Sequence, residues 1–177
     1  MAGWIALIRA IGPKTHKLMS MADLRAAAEA QGLQEVRTLL ATGNLLFASR
    51  KSKASLQKLL EDVLTGFGLV LPENAVFLLT PEEVQAVIAA VPFPDAAQDT
   101  PSRLLYVATA TPLDDAAQAR IATWDRGPER LRACGSGLFI DYAEGVGASQ
   151  LTPKRLETLL GQLGTGRNWN TLNKLLK

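Results

Sequence analysis

Two Gly-containing turns between short apolar runs, each pair of runs framed by helical patterns, predict an α+β fold of two consecutive ferredoxin-like (split βαβ) halves. The first half reads β-α-β-β-α-β and the second β-α-β-β-α plus a C-terminal helix. A stretch with Pro92, Pro94 and Pro101 stands between them and has the composition of a linker. On this reading residues 1–79 form the first half, 80–102 a connecting helix and Pro-containing linker, and 103–177 the second half.

The first element, Trp4 to Ile8, is continuously apolar and stops at Arg9, as a strand covered on both faces does. A polar loop runs from Ala10 to Met19. Ser20 opens a helix with Asp23 three positions on, a capping-box pattern. Leu24, Ala27 and Ala28 share one face of that helix, and Gly32 ends it. Val36 to Ala41 and Leu45 to Ala48 read as strands around Thr42-Gly43-Asn44, because Gly and Asn tolerate the positive φ of a hairpin turn. Leu56, Leu59, Leu60, Val63, Leu64 and Phe67 then repeat at helical spacing between Ser52 and Gly68. Val76 to Leu79 is the next strand, with a short extended piece expected at Leu69 to Leu71. Thr80-Pro81-Glu82-Glu83 opens the connecting helix, with Thr80 as cap and Pro81 at the first helical position.

The second half replays this pattern without repeating its residues. Leu104 to Thr109 reads as a strand, and Thr111-Pro112 as the start of a helix reaching Trp124. Gly127-Pro128 breaks it. Leu131 to Cys134 and Leu138 to Tyr142 form a hairpin around Gly135-Ser136-Gly137. Thr152-Pro153 opens a helix carrying Leu156, Leu159, Leu160 and Leu163, ended by Gly164. A final helix begins near Asn168 in place of a last strand.

Composition excludes several classes. Of 177 residues, 47% are hydrophobic and 20% charged, which is a folded protein and not a disordered tail. The apolar runs are too short to span a bilayer, and Met1 to Ile8 has neither a basic n-region nor a cleavage site. One cysteine, Cys134, forms no internal disulfide, so a cytoplasmic location is expected. With a single His and a single Cys no metal site is expected, and no cofactor motif is present. Charge is unevenly spread: residues 1–53 hold eight Lys or Arg against three acids, a surplus of five in a chain whose net charge is +2. Such asymmetry points to an anionic partner.

The strand ending in Arg9, the helix from Met21 to Gly32, Val36-Arg37-Thr38 leading into Thr42-Gly43-Asn44, and Arg167-Asn168-Trp169-Asn170-Thr171 together form one pattern. In it the sequence resembles the bacterial uncharacterised family known as domain of unknown function 1697. The resemblance implies a two-part α+β fold and no particular reaction. Where that family continues its first strand with Gly-Ile-Asn-Val-Gly-Gly, this chain has Ala10-Ile11-Gly12-Pro13-Lys14-Thr15.

Catalytic motifs are absent from the sequence. His16 has no Gly-x-Ser-x-Gly elbow to serve, and Glu82-Glu83 and Asp114-Asp115 suit the helix N-termini they occupy. Cys134 reads as a packed thiol, with Arg130 and Arg132 near enough in sequence to activate it. No Walker loop or Gly-x-Gly-x-x-Gly follows a strand. The remaining candidate is electrostatic. Taking the first and third strands as parallel neighbours places Arg9, Lys14, His16 and Lys17 at one edge with Arg50 and Lys51, beside the helix starts at Ser20 and Ser52. Unsatisfied helix N–H groups ringed by cations make an anion site. The same topology sends Thr42-Gly43-Asn44 to the opposite edge.

The C-terminal stretch has two readings. Asn168 can cap the last helix while Trp169 packs and Arg167 pairs with a carboxylate, or Arg167, Asn168, Trp169, Asn170 and Thr171 can read a ligand. The leading expectation is a protein binding a small or polymeric anion at the basic edge of its first half. The alternative is a small-molecule transferase or hydrolase using Arg9, Lys14 or His16. Single-stranded nucleic acid is the minority expectation, because only Trp4 and Phe47 lie on the central strands.

Overall fold

The computed structural model describes residues 1–177 and divides into two compact units, 1–83 and 84–177. The first contains β1 (Ala2–Ile8), α1 (Pro13–His16), α2 (Met21–Ala30), β2 (Gln34–Leu39), β3 (Asn44–Ser49), α3 (Lys53–Gly66) and β4 (Val76–Leu79). Its sheet has the order β2-β3-β1-β4, with every neighbouring pair antiparallel. Leu24 and Ala28 of α2 and Leu56, Leu60 and Leu64 of α3 form the core with Ala6, Ile8, Leu45, Phe47, Val76 and Leu78 of the sheet. Each fully buried leucine contributes about 1.5–3 kcal/mol relative to exposure. Ile5 and Leu7, at the alternate positions of β1, are buried as well, which is why that strand reads as an unbroken apolar run.

The helix starts follow their side chains. The Ser20 hydroxyl accepts from Asp23 N at 3.0 Å, and Asp23 Oδ2 accepts from Ser20 N at 2.8 Å, closing a reciprocal capping box. The loop after β1 holds a single helical turn, α1. It forms because Thr15 Oγ1 accepts from Gly12 N and donates to Gly12 O, with Pro13 at the first helical position. Residues 69–71, expected as extended, form no strand. They enter a turn in which Asn74 N donates to Val70 O at 2.8 Å.

α4 (Pro81–Ala89) spans the division between the units. The second unit continues with α5 (Pro94–Asp99), β5 (Leu104–Thr109), α6 (Asp115–Ala122), β6 (Arg130–Cys134), β7 (Gly137–Asp141), α7 (Pro153–Leu160), β8 (Gly164–Asn168) and α8 (Trp169–Lys174). Its sheet order, β6-β7-β5-β8, repeats the topology of the first.

Three features of the second unit depart from the sequence reading. The expected proline linker is helical: Pro94 starts α5, Phe93 and Ala96 are buried, and Arg130 joins Asp95 to Asp141 while lying 4.5 Å over the Phe93 ring. α6 starts at Asp114, whose carboxylate accepts from Ala117 N, and not at Thr111, which bonds Gln162 instead. A fourth strand, β8, occupies residues 164–168 ahead of the expected final helix, where no strand was expected, so the second half is also β-α-β-β-α-β. Its burial alternates through Thr165 and Arg167, and Gly166 is pressed against Leu105, so no aliphatic pattern announces it. Arg130 is committed to its two carboxylates, and burial pushes the half-buried Cys134 thiol up, away from activation.

Candidate functional site

Strand direction decides which of the basic residues meet. β1 and β3 pair Ala2 with Ser49 and Leu7 with Asn44, so they are antiparallel and their C-terminal ends lie at opposite ends of the sheet. The expectation of parallel neighbours is therefore corrected. The reason is in the element order: α2 returns the chain so that β2 runs with β1, and the hairpin then reverses β3. Arg9, Lys14, His16, Lys17 and Ser20 stay at the end where β1 leaves the sheet. Arg50, Lys51 and Ser52 lie at the other. Thr42-Gly43-Asn44 belongs with the first group, not against it.

At this hairpin end nearly every polar group is engaged. Ile8 N donates to Gly43 O at 2.8 Å, and His16 Nε2 lies 2.8 Å from Ala41 O. A ring nitrogen that close to a carbonyl must carry the proton, so Nε2 is a donor there and no base. Arg9 pairs with Glu73 at 3.1 Å and donates to its carbonyl at 3.0 Å, while Asn74 Nδ2 donates to Arg9 O. The buried Asn44 donates to Leu39 O and Thr42 Oγ1, tying the turn to itself. Gly43 has φ +83, and a Cβ there would stand 2.6 Å from Ile11 Cγ1 and 2.9 Å from Ile8 O. The glycine is required by this close approach. At α2 the Asp23 carboxylate already occupies the helix N-terminus, and the Ser20 N–H, then the Ser20 hydroxyl, hold its pKa below the usual carboxylate value. Only Lys14 and Lys17 point free charge into solvent here.

The α3 end is built differently. Ser52 caps α3 by accepting from Ser55 N, and the first turn holds no acid. Arg50, Lys51 and Lys53 are exposed and enter no ion pair. Beside them lies a hollow of about 380 Å³ lined by Arg50, Lys51, Ser49, Ala48, Gly32, Gln34 and Met1. Ser49, buried at its rim, accepts from Lys51 N at 3.1 Å and fixes the turn into the helix. Gln34 and Gly32 are additions that only the true strand direction brings to this place.

In the second unit, Arg167-Asn168-Trp169-Asn170-Thr171 carries structural contacts. Arg167 is buried on β8 opposite Tyr106, donates to Thr165 Oγ1 at 2.9 Å and Gly166 O at 2.8 Å, and burial brings its pKa down to about 10. Asn168 Oδ1 accepts from Thr171 N and caps α8. Trp169 lies 6.3 Å from the Phe139 ring. Thr171 is buried, and Asn170 alone faces solvent.

Two antiparallel four-stranded sheets of one topology, each flanked by helices, define a tandem ferredoxin-like α+β protein. Residues 1–139 match the family described as Protein of unknown function (DUF1697), and the chain belongs to that family. The Arg167–Thr171 stretch lies outside the matched span. Along its length the chain is similar to the conserved bacterial protein SP0830 from Streptococcus pneumoniae, with a TM-score of 0.72 and 25% identity over 99% of this chain and 98% of that one. No curated protein matches it. No helix is long and apolar enough to cross a membrane.

Proposed function

We propose that this chain binds a small phosphate-like anion at the α3 end of its first unit, with Arg50, Lys51 and Ser52 as the core of the site. The observation that carries the reading is the contrast in pairing: Arg50, Lys51 and Lys53 have no carboxylate partner at a helix start without an acid, next to a hollow. A helix N-terminus presents unbonded N–H groups and a partial positive charge, and nearby cations deepen that field. Arg9, Lys14, His16, Lys17 and Ser20 fall outside this site. A transferase or hydrolase using Arg9, Lys14 or His16 is the weaker reading, since Arg9 and His16 are both committed to neighbours and Lys14 stands alone in solvent. A polymer is disfavoured as the ligand because Phe47 is buried, so the central strands lack the pair of open aromatic rings on which successive bases of a single strand stack. A chain with one unpaired cysteine suits the reducing cytoplasm, where we place it. Equilibrium titration of inorganic phosphate and sulfate tests the reading. Binding should weaken as salt shortens the screening length, and Arg50→Ala with Lys51→Ala should abolish it. Retained binding in that variant would refute the site.

A further inference from the structure

A second site is written across two helices of the other unit. α6 and the residue after its cap carry Arg120, Thr123 and Trp124, and α7 carries Arg155, Thr158 and Leu159, so each helix presents an Arg-x-x-Thr-apolar triplet at i, i+3, i+4 on one face. The two triplets line one cleft of about 310 Å³, with Asp125 and Arg126 completing its lining. Arg120 Nε donates to Leu159 O at 3.2 Å and holds the helices at this separation. Arg155 is steadied by Gln150 O at 2.8 Å, and Arg126 has no protein partner. None of the three guanidinium groups meets a carboxylate in an ion pair. Trp124 donates its Nε1–H to the buried Glu129 at 3.1 Å, so its ring plane is set before any ligand arrives.

We infer that this cleft binds a nucleoside monophosphate, the phosphate held by Arg120, Arg126 and Arg155 and the base stacked on Trp124. Planar guanidinium forks suit phosphate oxygens, and an indole face accepts a flat base with little regard to its identity. The volume is that of a small-molecule site and too small for more than one nucleotide. Asp125, the one acid in the lining, can accept from a ribose hydroxyl and opposes a longer phosphate chain. The site shares no residue with the α3 end of the first unit.

Calorimetry on the full chain at low salt, with adenosine monophosphate, ribose 5-phosphate and inorganic phosphate as probes, tests the inference. Adenosine monophosphate should bind at least about tenfold more tightly than ribose 5-phosphate, because only it can stack. It should also move the Trp124 indole N–H resonance, assigned by its loss in Trp124→Phe. Arg126→Gln changes an exposed side chain with no hydrogen bond or ion pair inside the protein, so it leaves the fold intact and should weaken binding severalfold; Arg126→Gln with Arg155→Gln should weaken it more than tenfold. Arg50→Ala with Lys51→Ala should bind the nucleotide as wild type does. Equal affinity for the two sugar phosphates, wild-type affinity in the double arginine variant, loss of nucleotide binding in Arg50→Ala with Lys51→Ala, or tighter binding of a single-stranded oligonucleotide at Trp124 would each overturn it.

Discussion

The two ends of the first sheet differ in what their charges face. Where β1 leaves the sheet, Arg9 faces Glu73, His16 faces Ala41 O, Asp23 fills the α2 N-terminus, and Gly43 is wedged onto Ile8 and Ile11. Where β3 leaves it, Arg50, Lys51 and Lys53 face solvent beside an α3 start with no acid. Counting cations does not separate these ends. What separates them is how many of the cations and N–H groups are already satisfied within the protein, because a satisfied group has little left to give a ligand. The hairpin end is thus a place of packing, and the α3 end a place of unspent charge.

The largest effect should come from the layer beneath both ends. Leu60 is fully buried at the middle of α3, so Leu60→Ala should cost about 2–5 kcal/mol in chemical denaturation. A loss under about half a kilocalorie would show that the helix layer is not the core. The next comparison sets one glycine against another. Gly43 and Gly32 share a positive φ, but a Cβ at Gly32 meets nothing within 4 Å. Gly43→Ala should therefore cost about 3 kcal/mol, backbone strain plus a clash with a carbonyl, and Gly32→Ala about 1 kcal/mol, strain alone. Equal losses would mean that the hairpin is not tightly seated.

A smaller, pH-dependent difference distinguishes the two helix starts. The Asp23 pKa is lowered in the folded state by the Ser20 N–H and hydroxyl. A lowered carboxyl pKa adds stability that is complete above the unfolded value and disappears as pH falls through the folded one. The stability gap between wild type and Asp23→Asn should thus be present at neutral pH and close below about pH 4. Thermal unfolding across that range checks it, and a gap that widens in acid would contradict the capping box. Ser52→Ala, at the α3 end, should cost about 1 kcal/mol. No carboxylate shares that cap, so the loss should not change with pH over the acid range.

Much of this architecture is legible in the sequence because local signals carry it. The Ser20–Asp23 box, the leucine stripe of α3 and the Gly-Asn turn each state their structure within a few residues. β8 is not legible, since its inward positions are Thr165 and Arg167 and its outward ones include two glycines, which mimic a loop. The proline segment misleads in the opposite direction: Pro94 begins a helix as readily as it ends one, and only the tertiary contacts of Phe93 and Arg130 decide which. What residue type alone does not reveal at the basic residues is strand direction. The element order alone requires β3 to oppose β1, and that direction separates Arg50 and Lys51 from Arg9 and His16.

The contrast between the two ends is tested most directly by following backbone amide resonances of the full chain during a phosphate titration at low salt. The amides of Lys53 and Ala54, in the first turn of α3, should shift in a saturable, salt-sensitive way, while those of Gly12, His16, Ser20 and Asp23, already bonded within the protein, should stay in place. Shifts confined to residues 12–23, or none at either end, would contradict the account.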